Sequence, residues 1–205
     1  MKKIILSIVL LLAIVATVAS CGNPNSESSP QETPKTVWET LQELSQKQYS
    51  KVKLDIKTVT GDMELNANYV LTNDNVTYSV EQFNLLPADG NLANASQNQK
   101  TTLTGTATIQ GGKVEKIDGE NVTLPSVDEL KGAFHFTENN FKNVKSEDGK
   151  LIADVNSASA FMGVSQNLSN MKIVVTYNDT ALQKLEITYN TTNSTVTTVY
   201  EFIMQ

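Results

Sequence analysis

The stretch Lys51-Val52-Lys53-Leu54-Asp55-Ile56-Lys57 places an aliphatic side chain at every second position and a charge at each position between. Successive side chains of a β-strand point to opposite faces, so this pattern buries Val52, Leu54 and Ile56 on one side and leaves four charges in water. After Gly61 the same period returns in Met63, Leu65, Ala67, Tyr69 and Leu71. Asn73-Asp74-Asn75 supplies a turn, and Val76, Tyr78 and Val80 carry the period into a third strand. Three alternating segments in succession predict an antiparallel meander with one apolar face.

Working toward the C-terminus, residues 84–100 break the period with Pro87, Gly90 and a run rich in Asn and Ala. A loop of that length inside a domain is either a surface excursion or a functional segment. Its Leu85, Leu86 and Leu92 could fold over an apolar opening. Residues 101–110 and 113–118 read as strands around Gly111-Gly112, a two-residue hairpin signal. Residues 125–130 read as one or two helical turns closed by Gly132, and 133–136 and 141–145 as extended segments. Asp148-Gly149 turns the chain into 151–155. Residues 156–168 are compatible with a helix through Ala158, Phe161, Met162 and Leu168, and three strands at 171–177, 182–189 and 195–204 complete the chain.

Toward the N-terminus, Thr36-Val37-Trp38-Glu39 is a capping box: Thr36 caps the helix and Glu39 reaches back from its third position. Val37, Trp38, Leu41 and Leu44 then share one helical face, which predicts a helix to about Gln48 with Trp38 docking it on the sheet. The expected fold is α+β: a large curved antiparallel sheet of nine or ten strands, half-barrel-like, with an N-terminal helix and two short internal helices. The segments show no fixed-length repeat, which excludes a solenoid or propeller.

The residues that carry enzyme chemistry are scarce. His135 is the only histidine and Cys21 the only cysteine, and there is no arginine. In Phe134-His135-Phe136 alternation sends two rings to one face and the imidazole to the other, with no identified carboxylate or thiol beside it. Asp118-Gly119-Glu120-Asn121 and Glu147-Asp148-Gly149 lack the ligand spacing of a calcium loop and read as turns. No catalytic residue, metal site or cofactor is assigned, and a non-enzymatic protein is expected. An acidic, arginine-free chain is also unsuited to nucleic acid, whose phosphates attract clustered cations.

The clearest chemical role lies at the N-terminus. Lys2 and Lys3 precede an apolar run over residues 4–16, broken only by Ser7 and followed by Val18-Ala19-Ser20-Cys21. Thirteen residues span roughly 20 Å as a helix, short of the ~30 Å hydrocarbon core of a bilayer, as in a secretory signal. Val18-Ala19-Ser20-Cys21 resembles the lipobox of bacterial lipoproteins: an aliphatic residue, two small residues and cysteine. The resemblance implies cleavage before Cys21, a diacylglyceryl thioether on its sulfur and an acylated amine. It also implies anchorage at the extracytoplasmic face of the cell membrane, or at the outer membrane of a cell with two. Two acyl chains suffice for stable anchorage. Cleavage would remove two of the 16 basic residues and none of the 22 acidic ones, leaving a more acidic mature chain. Residues 1–20 are thus read as signal, 21–35 as lipidated cysteine plus a proline-punctuated tether, and 36–205 as one β-rich domain. A flexible tether of this length has a root-mean-square span of ~20 Å, which keeps the domain close to the bilayer.

The capped helix, large antiparallel sheet and long insertion resemble the half-barrel of periplasmic lipoprotein carriers and mycobacterial lipid-binding lipoproteins. That resemblance implies an apolar ligand on the concave face, lined by Phe134, Phe136, Phe161, Met162, Leu85, Leu86 and Leu92. The same residues serve equally as ordinary core. The domain would then be a tethered protein-interaction, sensor or envelope-assembly module with a filled interior. An apolar cavity of several hundred Å³ separates the two readings.

Overall fold

The charged and aliphatic alternation that starts at Lys51 forms β1 (Lys51–Thr60), with Val52, Leu54 and Ile56 buried. The computed structural model describes residues 35–61, 63–84, 100–119, 124–164 and 167–204. The expected signal segment, Cys21, nearly all of the tether, and Leu85, Leu86 and Leu92 lie outside the described residues. β2 (Met63–Thr72) and β3 (Asn75–Asn84) follow β1, then β4 (Lys100–Gln110) and β5 (Lys113–Gly119). Gly111 and Gly112 both take positive φ at the β4–β5 turn, which matches the right-handed twist of a two-residue hairpin and which a side chain would strain.

The second half of the chain builds β6 (Phe141–Glu147), β7 (Lys150–Val155), β8 (Ser169–Tyr177), β9 (Leu182–Asn190) and β10 (Thr195–Ile203). All ten strands belong to one antiparallel sheet in the order β5-β4-β3-β2-β1-β10-β9-β8-β7-β6. Each half is a five-stranded meander, and the two join where the first and last strands pair along their length. That central pairing sets Val52 opposite Phe202, Leu54 opposite Tyr200 and Ile56 opposite Thr198. Because side chains alternate with period two, this register extends one apolar face across the sheet. Leu54 also faces Tyr69, Tyr69 faces Tyr78, Tyr200 faces Leu185, and Leu185 faces Val175. The sheet does not close; β5 and β6 are its edges.

Among the described residues three α-helices accompany the sheet: α1 (Val37–Ser45), α2 (Val127–Lys131) and α3 (Ala158–Met162). α1 carries the expected capping box and buries Leu41 and Leu44, while Trp38 stacks on Phe141 with centroids 4.6 Å apart. It ends at Ser45, earlier than the expected Gln48. The Gln46 and Lys47 N–H groups bond back to Glu43 and Leu44, and the Tyr49 hydroxyl takes the Leu44 carbonyl at 2.8 Å, so the last turn is closed by side chain and tight turn. α2 repeats the capping box with Ser126 and Glu129.

The segment 133–136, expected to be extended, joins no strand. It lies with the helices, and its backbone is satisfied one group at a time. The His135 N–H donates to the Phe161 carbonyl at 2.9 Å, and the Phe136 N–H donates to Gln42 Oε1 at 2.7 Å. Buried Asn140 donates through Nδ2 to the His135 carbonyl at 3.0 Å, and Asn156 Nδ2 donates to the Phe141 carbonyl at 3.1 Å. Two amide side chains, Gln42 and Asn140, thus replace a strand ladder for this segment, as buried backbone groups require, while Asn156 secures the start of β6.

Candidate functional site

Four of the residues proposed to line a ligand site are brought together. Phe134, Phe136, Phe161 and Met162 are all buried. Phe134 packs on Phe161 at 5.7 Å and edge-on to Tyr200 at 5.1 Å, while Phe136 and Phe141 each meet Phe161 edge-on at 5.5 and 5.2 Å. These are ordinary separations for aromatic pairs in a packed core. The rings fill the space between sheet and helices, and none of the four lines the cleft described next. Trp38 likewise acts as the dock of α1 against this cluster.

The cleft lies at the end of the sheet where α1 leads into β1, and has a volume of about 620 Å³. Its apolar lining comes from Tyr49, Val52, Leu71, Ile109, Val127 and Phe202, which are buried or half-buried. Its polar lining includes Gln46, Lys47, Gln48, Asn73, Asp74 and Lys131, all exposed. Burial therefore separates an apolar floor from a polar rim. Strand alternation creates the floor: Val52 pairs with Leu71 on one side and with Phe202 on the other, all directed to the covered face. The rim comes from the loop after α1, the β2–β3 turn and α2, with Gly111 and Gly112 of the β4–β5 turn beside it.

Three sets of contacts hold the walls of the cleft. The Tyr49 hydroxyl donates to Leu44 and accepts the Leu182 N–H at 2.9 Å, tying the end of α1 to β9. Burial pushes this phenol's pKa up, and the Leu182 N–H partly opposes the shift. The Asp74 carbonyl accepts from Ile109 N–H at 2.7 Å, joining the β2–β3 turn to the end of β4. Lys47 Nζ sits 2.6 Å from the Thr180 carbonyl.

One strand step deeper than Phe202, Val52 and Leu71 runs a row containing Tyr200, Leu54, Tyr69 and Tyr78. The hydroxyls of Tyr78 and Tyr200 are buried without a hydrogen-bond partner. Burial raises Tyr69 to about 12 and pushes Tyr200 further up, with Tyr189 and Glu129 adding to the shift at Tyr200.

The opposite face is polar. Lys53 and Glu201 pair at 3.0 Å across the central strands, and Lys57 holds Glu64 at 2.8 Å. Asp55 is raised by burial and by Glu201, with Lys53 opposing. Among the described residues no group of three or more His, Cys, Asp or Glu side chains could hold a metal ion. His135 is half-buried and held by its backbone bonds to Phe161 and Asn140.

The cleft combines residues that sequence reading placed in separate turns, hairpins and strand ends. The available signal was the inward direction of Val52 and Leu71; no local pattern says that these turns meet at one end of the sheet. No protein-family model matches the chain, and no curated protein aligns with it significantly.

Proposed function

We propose that this chain is a non-enzymatic, extracytoplasmic lipoprotein, anchored to the membrane through Cys21, whose β-rich domain binds a small apolar or amphiphilic ligand. The observation that carries the binding reading is the 620 Å³ cleft with its apolar floor and polar rim. Ligand sites fall typically between about 300 and 1,000 Å³ and combine apolar walls with a few polar groups. The site therefore moves from the Phe134–Phe161 cluster to the floor formed by Val52, Leu71, Ile109 and Phe202. The anchor reading is supported by the spacing of the lysines, the apolar run and Val18-Ala19-Ser20-Cys21.

Each half has its own test. Labelled palmitate should mark the full chain and spare the Cys21→Ala chain; equal labelling of both, or of neither, sinks the anchor. For the cleft, residues 22–205 contain every described core residue and omit the cysteine of the anchor. Native mass spectrometry should reveal an added apolar ligand that Ile109→Trp excludes by filling the floor. The aromatic packing of the interior favours a second reading, a partner-binding module with no small ligand, which absence of any such adduct would support.

A further inference from the structure

Resting on the cleft reading above, we infer that the ligand is an amphiphile with a negatively charged head group, its apolar body on the floor and its charge at the rim beside Lys131. The cleft is lined by two cations, Lys47 and Lys131, against one acid, Asp74. The whole protein is acidic, with a formal charge of −6. A cleft whose local balance opposes that of the molecule attracts ligands that the rest of the surface repels.

The two lysines differ in what they can do. Lys47 has its ammonium on the Thr180 carbonyl, a bond that fixes the loop after α1. Lys131, in the last turn of α2, is exposed and directly follows Leu130, which is fully buried, so its backbone is held while its head group reaches solvent. Floor and rim are segregated by depth, with Val52 and Phe202 buried and Asp74 and Lys131 exposed. An apolar molecule without a head group would leave the rim facing it unused, and a fully polar one would lose its own hydration against the floor with no hydrogen bonds in return. An amphiphile meets both, and the lysine excess selects the anion.

The test compares decanoate with decyltrimethylammonium, which share a ten-carbon chain and carry opposite charges. Each displaces an apolar fluorophore from residues 22–205 at low ionic strength. Decanoate should bind about tenfold more tightly than the cation, a difference equal to one partly exposed charge contact. Lys131→Gln should remove that preference, and Asp74→Lys should enlarge it. Both side chains are exposed, and the circular dichroism of each variant checks that the fold is kept. Equal affinity for the two amphiphiles, unchanged in both variants, overturns the charge inference while leaving an apolar cleft. If neither amphiphile binds, or Ile109→Trp leaves binding intact, the cleft reading fails with it.

Discussion

Tyr49 and Tyr200 carry the same phenol in opposite circumstances, and the difference predicts opposite responses to removal of one oxygen. The Tyr49 hydroxyl makes two hydrogen bonds, to the Leu44 carbonyl and from the Leu182 N–H. Tyr49→Phe leaves both backbone groups without that partner and should cost about 1–3 kcal/mol in denaturant unfolding. The Tyr200 and Tyr78 hydroxyls were desolvated on folding and bonded to nothing. Tyr200→Phe and Tyr78→Phe should therefore be neutral or stabilise by about 1 kcal/mol. A loss of stability in either would show that its hydroxyl is bonded in solution. Sequence reading assigned Tyr69 and Tyr78 to the inward face, since alternation alone decides that. Whether an inward phenol finds a partner depends on groups far along the chain; Leu182, the partner of Tyr49, is 133 residues away.

Among the elements, the strands were legible and the segment between α2 and β6 was not. Val52, Leu54 and Ile56 must share a face in any strand, so period and burial agree. Phe134-His135-Phe136 shows the same alternation, yet its N–H groups go to Phe161 and Gln42 and it enters no sheet. The reason lies at Gly132, the cap of α2. Its φ of +73° redirects the chain, and a Cβ there would sit 2.3 Å from the Phe134 ring and 3.3 Å from that of Tyr200. Gly132→Ala combines a disfavoured backbone with overlap against the Phe134 ring and a tight approach to Tyr200, and overpacking alone costs about 1–3 kcal/mol. The prediction is a loss of at least that size, with weaker near-ultraviolet circular dichroism as the aromatic cluster loosens. Gly132→Ala with unchanged stability would mean that Phe134 has room to move. The capping boxes of α1 and α2 were visible as local motifs, whereas the cleft beside them was not. Its floor and rim converge only after β1 and β10 pair across nearly the full length of the domain.

For the whole molecule, the covered face carries an alkaline limit to stability. Tyr69, Tyr189 and Tyr200 all have pKa values raised chiefly by burial, Tyr69 to about 12 from the ordinary 10. Burial favours the neutral phenol in the folded protein, so a raised value means that the folded chain keeps protons the unfolded chain has released. Below about pH 10 both states are protonated and the full stability is present. Between about 10 and 12 the unfolded chain ionises first, its bound protons fall below those of the folded state, and stability drops as pH rises. Tyr69 contributes a slope of about 1.4 kcal/mol per pH unit in that window, and the raised values of Tyr189 and Tyr200 act in the same direction. Urea midpoints measured from pH 8 to 12 should stay level to about 10 and then fall steeply. The Tyr69→Phe protein should fall less steeply, by the slope of one phenol. A flat profile from pH 10 to 11.5 would mean that these rings ionise freely, which the packed interior between the sheet and its helices does not allow.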